Sequence, residues 1–387
     1  MLGPSTVGDH TERELIARIR RLLPAAPPWL LVGIGDDAAV VEPERNRVEV
    51  LTVDALVEGI HFDRAFVPPG AIGHRALAVN LSDLAAMGAA PRLALLSMAL
   101  PAALPLEDFD AIAGGFALLA ARHRLHVVGG NLTRSPGPLM IDVTVMGTVK
   151  RRQALTRTGA RPGDDLYVSG SIGSARAGLA VLREVTSRKS SVIGQQSSVA
   201  SVSHQQTELT ADESELTTED SGPTTHDLRL TTDDLRLATT DLFPQPRVAL
   251  GIHLARNRAA SACMDLSDGL SDGLEQMAES SGVGMTIDAA ALPIDPGARA
   301  LFAALGQDAA TEALRGGDDY ELLIAVRPRT QRRLTEAMRR GEAMLTRIGR
   351  CTAERGIRVR GAQAAADGAL PQGFQHFARL KGSHSGA

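Results

Sequence analysis

The chain is short of cysteine, lysine and aromatic residues, and each scarcity excludes something. Two cysteines in 387 residues, Cys263 and Cys351, cannot make a disulfide framework or a four-cysteine zinc site, and they suit a reducing, intracellular setting. Only Lys150, Lys189 and Lys381 are lysines; the rest of the 41 basic residues are arginines. No GxxxxGK[ST] loop occurs, so phosphate chemistry here has to rely on metal ions, arginines and backbone amides. Aromatics are 3% of the chain and the formal net charge is −4, which argues against a base-stacking platform and a nucleic-acid binder. No apolar run is long enough for a membrane span, since Leu93 to Leu104 is broken by Ser97 and Pro101. Charged residues at Asp9, Glu12, Arg13 and Glu14 leave no room for a signal peptide, so a cytoplasmic protein is expected.

What remains is an ordinary globular composition, 44% hydrophobic, at a length that suggests two domains. Helical periodicity is expected over 11–23, 73–87, 108–124, 174–182, 244–258, 271–281 and 331–340. Strands are expected over 48–53, 92–100, 127–128, 140–149, 166–169 and 324–327. Such mixing predicts an α+β protein with a mixed N-terminal sheet covered by helices on one face and a second α/β unit. The turn-rich stretch RTGARPGD places the boundary near 150, giving units of 1–150 and 151–387. Residues 185–240 are rich in Ser, Thr, Gln and acids and are expected to be a disordered, dispensable insertion.

The chemistry is carried by aspartates that recur beside glycine in apolar surroundings. Asp36 and Asp37 lie in GIGDDAAV, Asp54 in TVDALVEGIHF and Asp83 in NLSDLAAMG. Asp265 and Asp268 lie in MDLSDGLSDGL, and Asp318 and Asp319 in GGDDYELL. Each alone has a plainer explanation. GDD suits a turn, Asp83 could cap a turn or meet an arginine, and His61 and Cys263 could simply be packing residues. Asp265 and Asp268, three apart, would share a face at a helix start, with Ser267 as a cap. The double glycines before DDYEL and NLTR would let backbone approach a ligand. Together, five acidic motifs in apolar company predict a site for Mg²⁺ and phosphate, because buried carboxylates need a positive partner.

These motifs, with VVGGNLTR and ALTRTGARPGDDLYVSG, occur in the order found in the thiamine-monophosphate kinase family, which the chain resembles from about Glu12 to Arg379, outside 185–240. The resemblance implies an aminoimidazole ribonucleotide synthetase-like fold and a homodimer whose N-terminal sheets pair, with nucleotide near the interface. It implies transfer of the terminal phosphoryl group of ATP to thiamine monophosphate with several Mg²⁺ ions. By similarity Asp37, Thr52, Val53 (through its carbonyl), Asp54, Asp83, Asp265 and Asp268 are metal positions. Gly130, Asn131, Arg157 and Ser267 match ATP contacts; His61, Asp318 and Phe374 match substrate contacts. Asn131 stands where the family has a metal-binding aspartate, which raises the alternative of a catalytically weak nucleotide- or thiamine-phosphate-binding protein. Relatives that use an N-terminal or C-terminal cysteine do not fit, since no cysteine precedes Cys263 and the chain ends Ser-Gly-Ala.

Overall fold

A computed structural model describes residues 4–200, 232–361, 370, 371 and 373, with side chains described to 187 in the first range. The first half runs α1 (Glu12–Leu22), β1 (Leu30–Val32), β2 (Val40–Val41), β3 (Arg47–Val57), α2 (Pro69–Ala86), β4 (Ala90–Pro101), α3 (Leu106–Arg122), β5 (His126–Ser135) and β6 (Met140–Lys150). Strands β3–β6–β4–β5 form a mixed sheet: β6 pairs antiparallel with β3 and β4, and β4 runs parallel to β5. Alternation along the strands decides its two faces. Val50, Leu56, Leu96, Met98, Ile141, Val143 and Val145 turn toward α2 and α3 and join the core. Leu51, Val53, Leu95 and Met140 stay exposed, the first two at 66% and 59%. The short β1–β2 ribbon covers one end of that second face, where Trp29, Leu30 and Val41 pack on Leu93, Val128 and Met146.

The second half adds β7 (Asp165–Ser169), α4 (Ser174–Ala200), α5 (Thr232–Leu242), α6 (Val248–Asn257), β8 (Ala262–Asp265), α7 (Leu270–Ser281), β9 (Gly284–Asp288), α8 (Pro296–Ala304), α9 (Ala309–Arg315), β10 (Leu322–Val326), α10 (Gln331–Gly341), β11 (Leu345–Thr352) and β12 (Ile357–Arg360). Its six strands are ordered β12–β9–β11–β7–β10–β8. The molecule is therefore α+β with two mixed sheets. The four-stranded sheet uses residues 47–150 and the six-stranded one residues 165–360. Their hydrophobic cores do not stop at that division. Val248, Leu250, Leu254, Cys263, Leu322 and Ile324 belong to the same buried cluster as Leu77, Leu81 and Leu84 of α2.

Helix α2 joins the halves because it is buried all round: every residue from Ala71 to Ser82 is buried, the polar His74, Arg75, Asn80 and Ser82 included. Small residues let its neighbours come close. Gly251 on α6 sits where a Cβ would lie 2.0 Å from the carbonyl oxygen of Ala85.

Two expectations about the 185–240 segment need correction. Helix α4 continues to Ala200 rather than ending near 182, and α5 is helical from Thr232. Helix α5 buries Leu237, Ala238 and Asp241, with Leu237 packed against Ala177, Ala298 and Phe302, and Arg236 makes a double hydrogen bond to Asp295 at 2.6 and 2.7 Å. The polar composition concealed a short amphipathic helix whose few apolar groups share one face. The segment's C-terminal end is thus packed on the second half; residues 201–231 lie outside the described residues.

Candidate active site

Strand β3, helices α2, α4 and α5, the 59–67 loop, the end of β8 and the 315–320 loop line an open cavity of about 600 Å³. Asp54, His61, Asp83, Asp265, Ser267, Asp268 and Asp318 all line it. Asp54 projects from the helix-facing side of β3, opposite Val143. Asp83 is in the last turn of α2, where the helix dipole disfavours a negative charge, so the position points to an external cation. Its carboxylate accepts a hydrogen bond from the Thr52 hydroxyl. Asp265 is the last residue of β8 and accepts from Ser82 Oγ at 2.8 Å.

Burial raises all three carboxylates, and the charge of Asp83 adds to the rise of the other two. Burial, then the neighbouring charges of Asp83 and Asp142, push the Asp54 carboxyl up to about 6. Burial and Asp83 push Asp265 up to about 7. Burial also raises Asp83, opposed by the Thr52 hydrogen bond and by Arg157. Arg157 lowers Asp265 as well, although its Nη1 donates at 2.5 Å to Gln276 Oε1. A buried acidic cluster with one nearby guanidinium is what a divalent cation would neutralise. Among the described residues no three acidic, His or Cys groups are gathered closely enough to hold an ion by themselves. Further oxygens, such as those of phosphate groups, are needed to complete such a site.

The opposite wall comes from GGDDYEL, α5 and α2. Asp318 and Tyr320 both have positive φ, 65° and 50°, an uncommon backbone for non-glycine residues. Asp318 N–H donates to the Ser267 carbonyl at 2.7 Å and Tyr320 N–H to that of Leu266 at 3.1 Å, so the loop is pinned to DLSDG. The glycines serve this loop-to-loop contact: a Cβ on Gly317 would lie 2.6 Å from the Ser267 carbonyl oxygen. Gly317 also lines the cavity. Asp319 turns away and accepts from the N–H groups of Gly173 and Ala175 at the start of α4. His61 Nδ1 accepts from the Val57 N–H at 3.0 Å, which leaves Nε2 as the protonated nitrogen.

Several expected positions are placed differently. Asp265 and Asp268 do not share a helix face: Asp265 ends a strand, and α7 begins only at Leu270, with no side-chain cap from Ser267. The residue pattern hid a strand-to-helix turn. Asp37 lies in an exposed turn and does not line the cavity. Val53 and Asn131 lie on the exposed sheet face, since neighbours along a strand point to opposite sides. Gly130 is exposed on β5, where a Cβ would meet the Leu96 carbonyl oxygen at 1.8 Å. Phe374 lies outside the described residues. Sequence reasoning missed Arg75, Asp241, Arg176, Arg183 and Arg315, all on the cavity wall. An arginine within the apolar run of α2 was the one available signal for Arg75.

Family models for the N-terminal and C-terminal domains of AIR synthase related protein match residues 35–149 and 227–362. The fold and the acidic cavity thus define a member of that class. Salmonella typhimurium thiamine-monophosphate kinase is 32% identical over 375 residues, 95% of this chain and 98% of that one. A crystal structure of thiamine-monophosphate kinase from Stenotrophomonas maltophilia superposes with a TM-score of 0.72 at 36% identity, covering 93% of this chain and 98% of its own. AaThiL complexed with AMPPCP and TMP gives a TM-score of 0.67 at 29% identity, covering 95% and 97%. The chain belongs to the thiamine-monophosphate kinase family.

Proposed function

We propose that the cavity transfers the terminal phosphoryl group of ATP to the phosphate of thiamine monophosphate, giving ADP and thiamine diphosphate. The observation that carries this is the convergence of Asp54, Asp83 and Asp265 on one wall and Asp318 on the other, in a chain of this family. The AaThiL complex with AMPPCP and TMP supports the same pair of substrates. An ionised phosphate oxygen is already a nucleophile at neutral pH, so the protein needs no general base, and the lining offers carboxylates and arginines for positioning and charge control.

Buried carboxylates whose charge is disfavoured by burial and by Asp83 fit Mg²⁺. Asp54, Asp83 and Asp265 would hold one ion, with Thr52 and Asp268 near them; Asp37, the Val53 carbonyl and Asn131 are assigned to further ions. Bound there, Mg²⁺ neutralises and aligns the two sets of phosphates. Arg157, Ser267, Gly130 and Asn131 are assigned to ATP, and His61, Asp318 and Phe374 to thiamine monophosphate. Residues 1–150 would supply metal and nucleotide contacts and the dimer interface, and residues 151–387 the remaining wall. No helix among the described residues is long and apolar enough to cross a membrane, and we place the enzyme in the cytoplasm.

A homodimer accounts for the exposed apolar face of the first sheet, where Leu51, Val53, Leu95 and Met140 have no covering layer. Pairing of two such faces would bring Gly130 and Asn131 to the interface. Val53→Asp should shift the protein from dimer to monomer in sedimentation equilibrium; an unchanged dimer would exclude this face. Asn131 offers oxygen without charge. Asn131→Asp should lower the Mg²⁺ concentration for half-maximal rate by about 10-fold, because affinity rises with ligand charge; an unshifted titration would remove Asn131 from the metal site.

The deciding assay incubates the protein with ATP, Mg²⁺ and thiamine monophosphate and follows thiamine diphosphate by chromatography. Product that vanishes with EDTA is expected. Binding of both substrates without product would instead favour a catalytically weak binding protein.

A further inference from the structure

One guanidinium organises the wall opposite the acidic cluster. Arg75 lies inside α2 and is 7% exposed. Its Nη2 is 2.6 Å from Asp318 Oδ2. Its Nη1 donates to the Asp241 carbonyl at 3.4 Å and lies 3.7 Å from Asp241 Oδ1. Tyr320, itself buried, donates its hydroxyl to the other oxygen of Asp318, Oδ1, at 2.9 Å. Both carboxylate oxygens of Asp318 are thereby tied, yet the side chain keeps 41% exposure on the cavity. Two carboxylates share Arg75, and Arg183 also acts on Asp241. The group that faces the cavity is the half-exposed Asp318 carboxylate, which suits a cationic, N–H-bearing ring system better than a phosphate.

We infer that Arg75, Tyr320 and Asp241 are positioning residues that hold the Asp318 carboxylate toward the cationic heterocyclic part of the acceptor substrate. This rests on the kinase reading above. It also gives α5 a part in the reaction: the helix that follows the polar insertion supplies Asp241, which holds Arg75 from behind. The aim of Asp318 is thus set jointly by α2, α5 and the GGDDYEL loop.

The test is steady-state kinetics of wild type, Tyr320→Phe, Asp241→Asn, Arg75→Lys and Arg75→Met, each checked by thermal melting. Tyr320→Phe removes one hydroxyl and should raise KM for thiamine monophosphate about 10-fold, the scale of a lost hydrogen bond to a charged group. Its kcat and its KM for ATP should change less than about two-fold, because neither the phosphate end nor the nucleotide is touched. Asp241→Asn should act in the same direction. Arg75→Lys should recover part of what Arg75→Met loses, since the charge is kept and the fork is lost. Should Arg75→Met fail to fold, Tyr320→Phe alone decides. A folded Tyr320→Phe with wild-type KM overturns the inference, as does an equal rise in both KM values. Wild type that yields no thiamine diphosphate overturns the kinase reading itself, and this inference with it. Product from wild type with unaffected variants overturns the positioning alone.

Discussion

Asp83→Asn and Asp265→Asn should each lower kcat by about 10³-fold or more, the scale expected when a group that stabilises transition-state charge is removed. Both carboxylates sit where charge is costly without a cation: Asp83 in the last turn of α2, Asp265 fully buried beside it. Stability should move the other way. Asp265 is pushed from 3.8 up to about 7 on folding, so the native state holds a proton that the unfolded chain releases. Metal-free protein therefore loses stability as pH rises through that interval, and Mg²⁺ should restore it above pH 7. Asp265→Asn removes the ionisation, so its metal-free melting temperature should respond less to pH than that of wild type. The checks are a product assay and thermal melts at several pH values with and without Mg²⁺. A variant keeping a tenth of wild-type turnover with the same Mg²⁺ dependence would remove that residue from the site.

Gly251→Val should be strongly disruptive although it lies away from the cavity. Even one added carbon would meet Ala85 O at 2.0 Å and Ala85 C at 2.7 Å, and both atoms are backbone. Rotamer adjustment cannot relieve such a contact; α6 has to move off α2. Overpacking of this kind costs about 1–3 kcal/mol, and more where backbone must shift. Ala85 is two residues from Asp83, and α2 carries Ser82, the hydrogen-bond partner of Asp265. Displacement should therefore lower both the calorimetric melting temperature and kcat. A melting temperature unchanged from wild type would show that the α2–α6 contact is looser than described.

The acidic motifs were legible because a carboxylate in apolar company is a local contradiction that a single segment displays. Asp54, Asp83, Asp265 and Asp318 do meet in one cavity. The arginine side was not legible, because Arg75 meets Asp241 and Asp318 from segments 166 and 243 positions away. Sequence periodicity does not report such pairings. Strand β3 sends the Thr52 and Asp54 side chains toward α2 and that of Val53 to the exposed face, so Val53 could join Thr52 and Asp54 only through its carbonyl. The fold was readable where periodicity was long and uniform, as in α2 and β6. It was not readable in α5, whose buried face is only Leu237, Ala238 and Asp241.

Arg75, Val79 and Asp83 recur every fourth residue along α2, and all three face the cavity. At 1.5 Å per residue, the helix sets the Arg75 and Asp83 backbones about 12 Å apart. With α3 and α6 packed against it, that spacing is fixed by a rigid rod rather than by loops. On the function proposed above, this rod would gauge the acceptor for length, since a molecule engaging the Asp318 wall would have to reach the acidic cluster as well.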